Sequence, residues 1–251
     1  MPSYRHSVSQ WCFPTIPLAQ LAAAARAMGC EGIDLLEPAD WAALKPHGLI
    51  CSLARGPGNI TESFNRREHH AELVPAFAER LRACAAAGIP NVVCFSGNRR
   101  GQSDEEGIEI CTEAFKQLAP VAERAGVTLC LELLNSKVDH PDYQCDRTAW
   151  GVEVCKRVGS ERVKLLYDIY HMQVMEGDVI RTIRENHRWI AHYHTAGNPG
   201  RHEIDAMQEL NYPAIMRAIA ETGFTGFVGQ EFLPERDPLA SLREAIALCT
   251  V

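Results

Sequence analysis

The sequence predicts a closed (β/α)₈ TIM barrel, a single domain over residues 1–251. Three observations carry that expectation. Eight short apolar runs alternate with longer helical patterns along the 251 residues, and strict alternation calls for a parallel sheet with crossover helices. Eight such units in about 250 residues is an ordinary size for this barrel. Several helix–strand junctions also share one grammar: helix, glycine, short turn, strand. A doubly wound open sheet is the alternative. It would usually carry a glycine-rich phosphate loop after an early strand, and "ARGPGNITES" fits neither nucleotide fingerprint.

The elements follow in order. "RHSVSQ" is the first strand, and the pattern over 17–28 the first helix. "GIDLLE" and "LICSLA" are the next two strands, separated by a short, weak helical pattern at about 39–46. After the third strand comes "RGPGNITESFNRREHHAEL", a long polar stretch. Residues 55–72 of it are a candidate lid, and His69 and His70 begin the helix over 67–87. "NVVCFSG", "VTLCLELLN", "VKLLYDIY", "WIAHYHTAG" and "GFVGQEF" are strands four to eight. Helical patterns at 104–125, 146–158, 178–187, 211–222 and 237–248 complete the units. Gly29, Gly88, Gly126 and Gly223 sit in "RAMGCEGIDLL", "AAAGIPNVVCF", "AERAGVTLCLEL" and "AETGFTGFVGQEF", where a helix must end in a positive-φ residue.

Composition narrows the function classes. The chain is 46% hydrophobic and 23% charged, as a globular domain is, and carries a net charge of −7. An acidic sum argues against a nucleic-acid partner. The ten cysteines are scattered without a CxxC, so they read as small buried apolar residues in a reducing compartment. "MPSYRHSVSQWCFP" has no apolar leader region, and no run reaches about 18 apolar residues, so a cytoplasmic protein with no membrane partner is expected. A homo-oligomer is expected but not readable from the sequence.

In such barrels the chemistry sits at the C-terminal ends of the strands. The first four strands end modestly, in Gln10 and Trp11, Glu37, Arg55, then Ser96 and Asn98. The last four end in Glu132, Asp168, His192 with His194, and Glu231. The two histidines alternate and so share a face. Any one of these residues alone is a cap, a solvated acid or a core histidine. Together they converge on one mouth, where three carboxylates would repel each other unless a cation sat between them. Oxygen-rich ligands with one imidazole suit one divalent ion, Mn²⁺ or Mg²⁺ first, with Co²⁺ or Zn²⁺ as alternatives.

The pieces "ELLN", "YDIYHMQ", "HYHTAGNPGRHEID", "ELNYP" and "GQEF" carry a further signal. Through them the chain resembles the xylose isomerase-like barrel superfamily of sugar isomerases and epimerases, and within it the hydroxypyruvate isomerase family. The resemblance implies that Glu132, Asp168, His194 and Glu231 are metal ligands. It also implies that His171, Arg201 and Glu203 contact substrate. Two positions depart from the pattern. The resemblance puts glutamine at the place of His194 in hydroxypyruvate isomerase and histidine there in ketose epimerases. The epimerases also carry a glutamate six residues after the first ligand, where this chain has Val138.

The expected reaction is proton transfer through an enediolate on a small hydroxy-carbonyl substrate, of the hydroxypyruvate or tartronate semialdehyde kind, or a ketose. Glu132 and Glu231, about 135° apart around an eight-stranded mouth, would be ligands and acid/base groups at once. Ketose 3-epimerisation and metal-dependent elimination from a keto-sugar or its glycoside use the same groups. An abasic-site endonuclease and a non-catalytic binding protein are the remaining rivals.

Overall fold

The computed structural model describes residues 4–251. The first three residues of the predicted domain, which also begin the stretch read for a leader, lie outside the described residues. Eight parallel strands close into a barrel in chain order. They are β1 (Arg5–Ser9), β2 (Gly32–Leu36), β3 (Ile50–Ala54), β4 (Asn91–Cys94), β5 (Thr128–Glu132), β6 (Val163–Asp168), β7 (Ile190–Thr195) and β8 (Phe227–Gln230). β8 pairs back onto β1, with Val8 opposite Gln230. Closure leaves no exposed sheet edge.

The helices are α1 (Leu18–Ala27), α2 (Arg67–Ala87), α3 (Asp104–Ala125), α4 (Thr148–Val158), α5 (Ile169–Met175), α6 (Val179–Asn186), α7 (Tyr212–Glu221) and α8 (Pro238–Leu248). Local chemistry sets their ends. Ser103 Oγ accepts from Glu106 N at the start of α3, whose first turn carries Asp104, Glu105 and Glu106, the charge a helix N-terminus favours. Asn211 and Asp237 cap α7 and α8 in the same way, each just ahead of a proline in the first turn. Gly88 and Gly126 end α2 and α3 at φ 72° and 68°, where a side chain would be strained.

Two expectations change. The weak pattern at 39–46 folds as a 3₁₀ segment, Trp41–His47, because Pro46 and only seven residues cannot sustain an α-helix. "VKLLYDIY" does not run on as strand to Tyr170. The strand stops at Asp168 and α5 starts at once.

The main core lies between sheet and helices. A second apolar group, Leu53, Val93, Cys130 and Leu166, comes from strands alone and fills the barrel interior. Cys130 shares its face with Glu132 and Leu166 with Asp168, because strand side chains alternate. The polar mouth therefore stands on an apolar plug. The stretch after β3 is fixed to the body by Phe64, whose ring lies 4.9 Å from those of both Phe77 and Phe115. His69 and His70 lie in α2 and contact the Ser63 and Phe64 carbonyls. All ten cysteines are free and buried.

Candidate active site and metal centre

Register brings the strand-end residues to one level. Asp168 pairs with His194 across β6 and β7, and Glu132 pairs with Leu166. Glu231 follows Gln230, which pairs with Thr195. Glu132, Asp168, His194 and Glu231 are all buried, and one ligand atom from each lies within 4.8 Å of the others. His194 Nδ1 is 3.1 Å from Glu231 Oε2 and 3.5 Å from Glu132 Oε1.

Asp168 divides its oxygens. Oδ1 accepts from the backbone N–H of His171 at 3.0 Å and caps α5. Oδ2 has no hydrogen-bond partner, and neither has either ring nitrogen of His194, whose Nε2 approaches Asp34 Oδ2 at 3.4 Å without a hydrogen bond. Burial, reinforced by Glu231 and Glu132 and opposed by Arg201 and His194, raises the Asp168 carboxyl to about 7. Burial also raises Glu132, with Glu231 adding to it. In Glu231 burial is outweighed by His194 and Arg201, so this carboxyl is held well below its ordinary value. His194 is the counterpart: burial opposes its proton, but Glu231, Asp34 and Glu132 hold it well above the usual range.

Orphaned buried atoms and raised buried acids are what a cluster shows when its charge calls for a cation. Three carboxylates and one imidazole fit a divalent ion with hard or borderline ligands. The residues present therefore fit the ion that the sequence implied.

Arg201 also faces the cluster. Its Nη2 lies 2.6 Å from Glu231 Oε2 and 3.7 Å from Asp168 Oδ2. The guanidinium sits near Trp11 and Tyr170, 5.2 and 5.7 Å from the ring centroids, within reach of a cation–π contact with each. His171 is buried at the start of α5, and Asn135 N donates to its Nδ1 at 3.2 Å. An acceptor Nδ1 places the ring proton on Nε2. Nε2 is 3.8 Å from Asp168 Oδ2 and has no hydrogen-bond partner. Burial first, then Arg201, pushes the His171 pKa well down, so the ring is neutral and its free N–H faces the cluster.

Glu203 does not join this group. Its Oε1 accepts from the N–H groups of Glu235 and Arg236 at 3.1 Å each, and from Ser241 Oγ at 2.9 Å. It ties the loop after β8 to α8 and faces a different cavity, beside Asp205 and Glu244. The family resemblance implied a substrate contact for Glu203, but the chain turns between it and Arg201: Gly197 N–H bonds the His202 carbonyl and Leu233 N–H the Arg201 carbonyl.

Other residues were not assigned from sequence. Trp11, seen in the sequence as a strand-end residue, donates its indole N–H to Glu231 Oε1 at 2.9 Å, and Ser9 Oγ donates to the same oxygen at 3.2 Å. His140 lines the mouth. Asp34 lies buried in β2 with its Oδ2 3.4 Å from His194 Nε2 and 2.9 Å from His192 Nε2. Its signal was an acid inside the apolar run "GIDLL", ahead of the strand end where ligands were sought.

The mouth opens into a cavity of about 480 Å³, walled by Trp11, Leu35, Phe95 and Leu134 and by Gly56, Asn59, Ile60 and Thr61 of the candidate lid. A cavity of that size with a few convergent polar groups suits a small molecule. A second cavity, about 560 Å³, lies at the other end of the strands among Arg5, Arg162, Lys164 and Arg188. It contains none of the clustered acids.

A parallel barrel with three buried carboxylates and a histidine at its C-terminal mouth carries its polar groups where barrel enzymes place their active sites. The chain belongs to the xylose isomerase-like TIM barrel family, whose model matches residues 22–250. It is 34% identical over 172 residues to a 2-oxo-tetronate isomerase of Cupriavidus necator, covering 68% of this chain and 56% of that protein. It is 28% identical over 252 residues to a putative hydroxypyruvate isomerase of Homo sapiens, covering 92% of this chain and 90% of that one. Among solved structures, one of an AP endonuclease, family 2, from Brucella melitensis superposes with a TM-score of 0.83 at 27% identity, over 96% of this chain and 97% of that one. Among the described residues, no helix is long and apolar enough to cross a membrane.

Proposed function

We propose that the protein is a divalent-metal-dependent isomerase of a small hydroxy-carbonyl compound, of the hydroxypyruvate or 2-oxo-tetronate kind, working by proton transfer through an enediolate. The observation that carries this is the buried quartet in which Glu132 and Glu231 both approach His194 Nδ1 from strands on opposite sides of the mouth. The names of the two curated relatives support the substrate class.

Glu132, Asp168, His194 and Glu231 would hold the ion, Mn²⁺ or Mg²⁺ by donor set. When bound, it supplies Lewis acidity that lowers the barrier to losing a proton α to a carbonyl.

The chain's own groups then divide the work. One of the two glutamates accepts the α-proton, the C–H electron pair becomes the carbon–carbon double bond of the enediolate, and the carbonyl π pair moves onto its oxygen. His171 donates its Nε2–H to that oxygen as charge develops. Arg201, in contact with Glu231 Oε2 and near the Trp11 and Tyr170 rings, orients Glu231 and offers its remaining N–H groups to substrate oxygens. Trp11 and Ser9 hold the other oxygen of Glu231, so that carboxylate meets the substrate in one orientation. Return of the proton to the neighbouring carbon, with the hydroxyl proton passing from the oxygen that becomes the carbonyl to the oxygen that becomes the hydroxyl, completes an isomerisation.

The test is turnover of hydroxypyruvate, 2-oxo-tetronate and ketoses in D₂O with Mn²⁺ or Mg²⁺. Solvent deuterium at the α-carbon of an isomer of equal mass supports the reading. An inverted centre means epimerisation, and a released leaving group means elimination. No exchange with any substrate overturns it.

A further inference from the structure

Beneath the quartet lies a second buried polar layer that the proposed chemistry does not use. Asp34 is fully buried. An ionised carboxylate there is costly unless donors surround it, and they do. Ser7 Oγ donates to Oδ2 at 2.8 Å, Ser52 Oγ donates to Oδ1, and His192 Nε2 lies 2.9 Å from Oδ2. With three donors already on its oxygens, Asp34 serves as a hydrogen-bond acceptor rather than as the ligand of a second ion.

We infer that Asp34 is the positioning residue for His194, fixing the ring with Nδ1 turned to the cation site; this rests on the metal-site reading above. The two ring nitrogens face opposite ways. Nδ1 looks at Glu231 and Glu132, and Nε2 looks at Asp34 Oδ2 at 3.4 Å. An imidazole can offer Nδ1 to a cation only if its proton sits on Nε2. A carboxylate facing Nε2 selects that tautomer and holds the ring plane.

Gly229 is independent support. It pairs with His194 across β7 and β8. A Cβ there would lie 2.2 Å from Asp34 Oδ2 and 2.9 Å from His194 Cδ2. Its φ is not positive, so the backbone does not demand glycine. The space between carboxylate and ring does. His192 Nε2, 2.9 Å from Asp34 Oδ2, is a further contact that holds the carboxylate in place.

The test is the Kd for Mn²⁺, measured by competition with a metal-sensitive dye, in a double-mutant cycle. Asp34→Asn should weaken Mn²⁺ by about 10–100-fold. In a His194→Gln background no second ring nitrogen reaches Asp34, and the same change should cost less than about 3-fold. Equal losses in both backgrounds, or none in the first, overturn the inference. Should Asp34→Asn not fold, the wild-type protein loaded with Zn²⁺ decides. A slowly exchanging ring N–H assigned to His194 Nε2 by ¹⁵N–¹H NMR is expected, and a proton on Nδ1 overturns the inference. Wild-type protein that binds no Mn²⁺ overturns instead the metal-site reading on which it rests.

Discussion

Asp168 and His171 are joined by a helix cap: the Asp168 Oδ1 atom accepts the His171 backbone N–H at 3.0 Å. The bond aims the remaining oxygen of Asp168 and the imidazole of His171 into the same mouth. A strand-end ligand and a substrate contact are thereby set by one local structure. Replacing His171 with Gln should leave the cap intact and lower kcat by about 10²–10³-fold, as loss of one oxyanion donor does. Steady-state kinetics with an unchanged Mn²⁺ Kd would check this; a lost Mn²⁺ site would place His171 among the ligands.

Glu132→Gln and Glu231→Gln should each reduce exchange of the substrate α-proton by about 10²–10⁴-fold, the usual worth of a positioned acid or base. The measurement is NMR in D₂O at saturating Mn²⁺, so that weakened metal binding does not mimic lost proton transfer. Normal exchange in either variant would remove that residue from the mechanism.

Mn²⁺ affinity should rise with pH through about 7, because burial raises the Asp168 carboxyl to about 7 and a ligand must be deprotonated. Binding releases a proton from His194, which its acidic neighbours hold well above its usual range, and below about pH 7 a further one from Asp168, which calorimetry in buffers of different ionisation enthalpy can count. The sign for the metal-free protein follows from the same shift. A carboxyl raised in the folded state stabilises fully below its unfolded value, about 3.9, and that contribution is lost as pH climbs to about 7. Added Mn²⁺ should offset the loss.

Arg201→Met should destabilise the metal-free protein by about 3–5 kcal/mol, since it leaves buried carboxylates without their counter-charge. Saturating Mn²⁺ should recover much of this, because the ion supplies charge in the same place. Thermal unfolding with and without Mn²⁺ tests it, and an equal loss in both conditions would mean that Arg201 contributes by packing alone.

Glu203→Gln should cost about 1–3 kcal/mol of stability, by weakening a charged acceptor that serves three donors. Its kcat should stay within about 3-fold of wild type, because such surface-side changes far from the reacting atoms are nearly independent of the site. A large kcat loss at unchanged stability would return it to the substrate contacts.

The barrel was legible because it is written locally. Period-two apolar runs, helical patterns and junction glycines such as Gly88 and Gly126 each state their own conformation within a few residues. The quartet was legible because β-alternation and the barrel rule assign strand ends to one mouth, so Glu132, Asp168, His194 and Glu231 could be singled out one strand at a time. α5 was hidden, since "LLYDIY" continues an apolar run and nothing in it says that the Asp168 carboxylate will cap a helix. Glu203 and Asp34 exchanged places for a different reason. Arg201 and Glu203 are two residues apart in sequence, yet loop hydrogen bonds turn them to different cavities. Asp34 is 160 residues from His194 in sequence, yet closure of the barrel sets them 3.4 Å apart. The sequence by itself determined the eight strands, most of the helices between them and the polar residues that end the strands, because those depend on short-range backbone and side-chain chemistry. Only the tertiary structure decided which polar groups share a buried space, because that depends on strand register, barrel closure and the absence of a Cβ at Gly229.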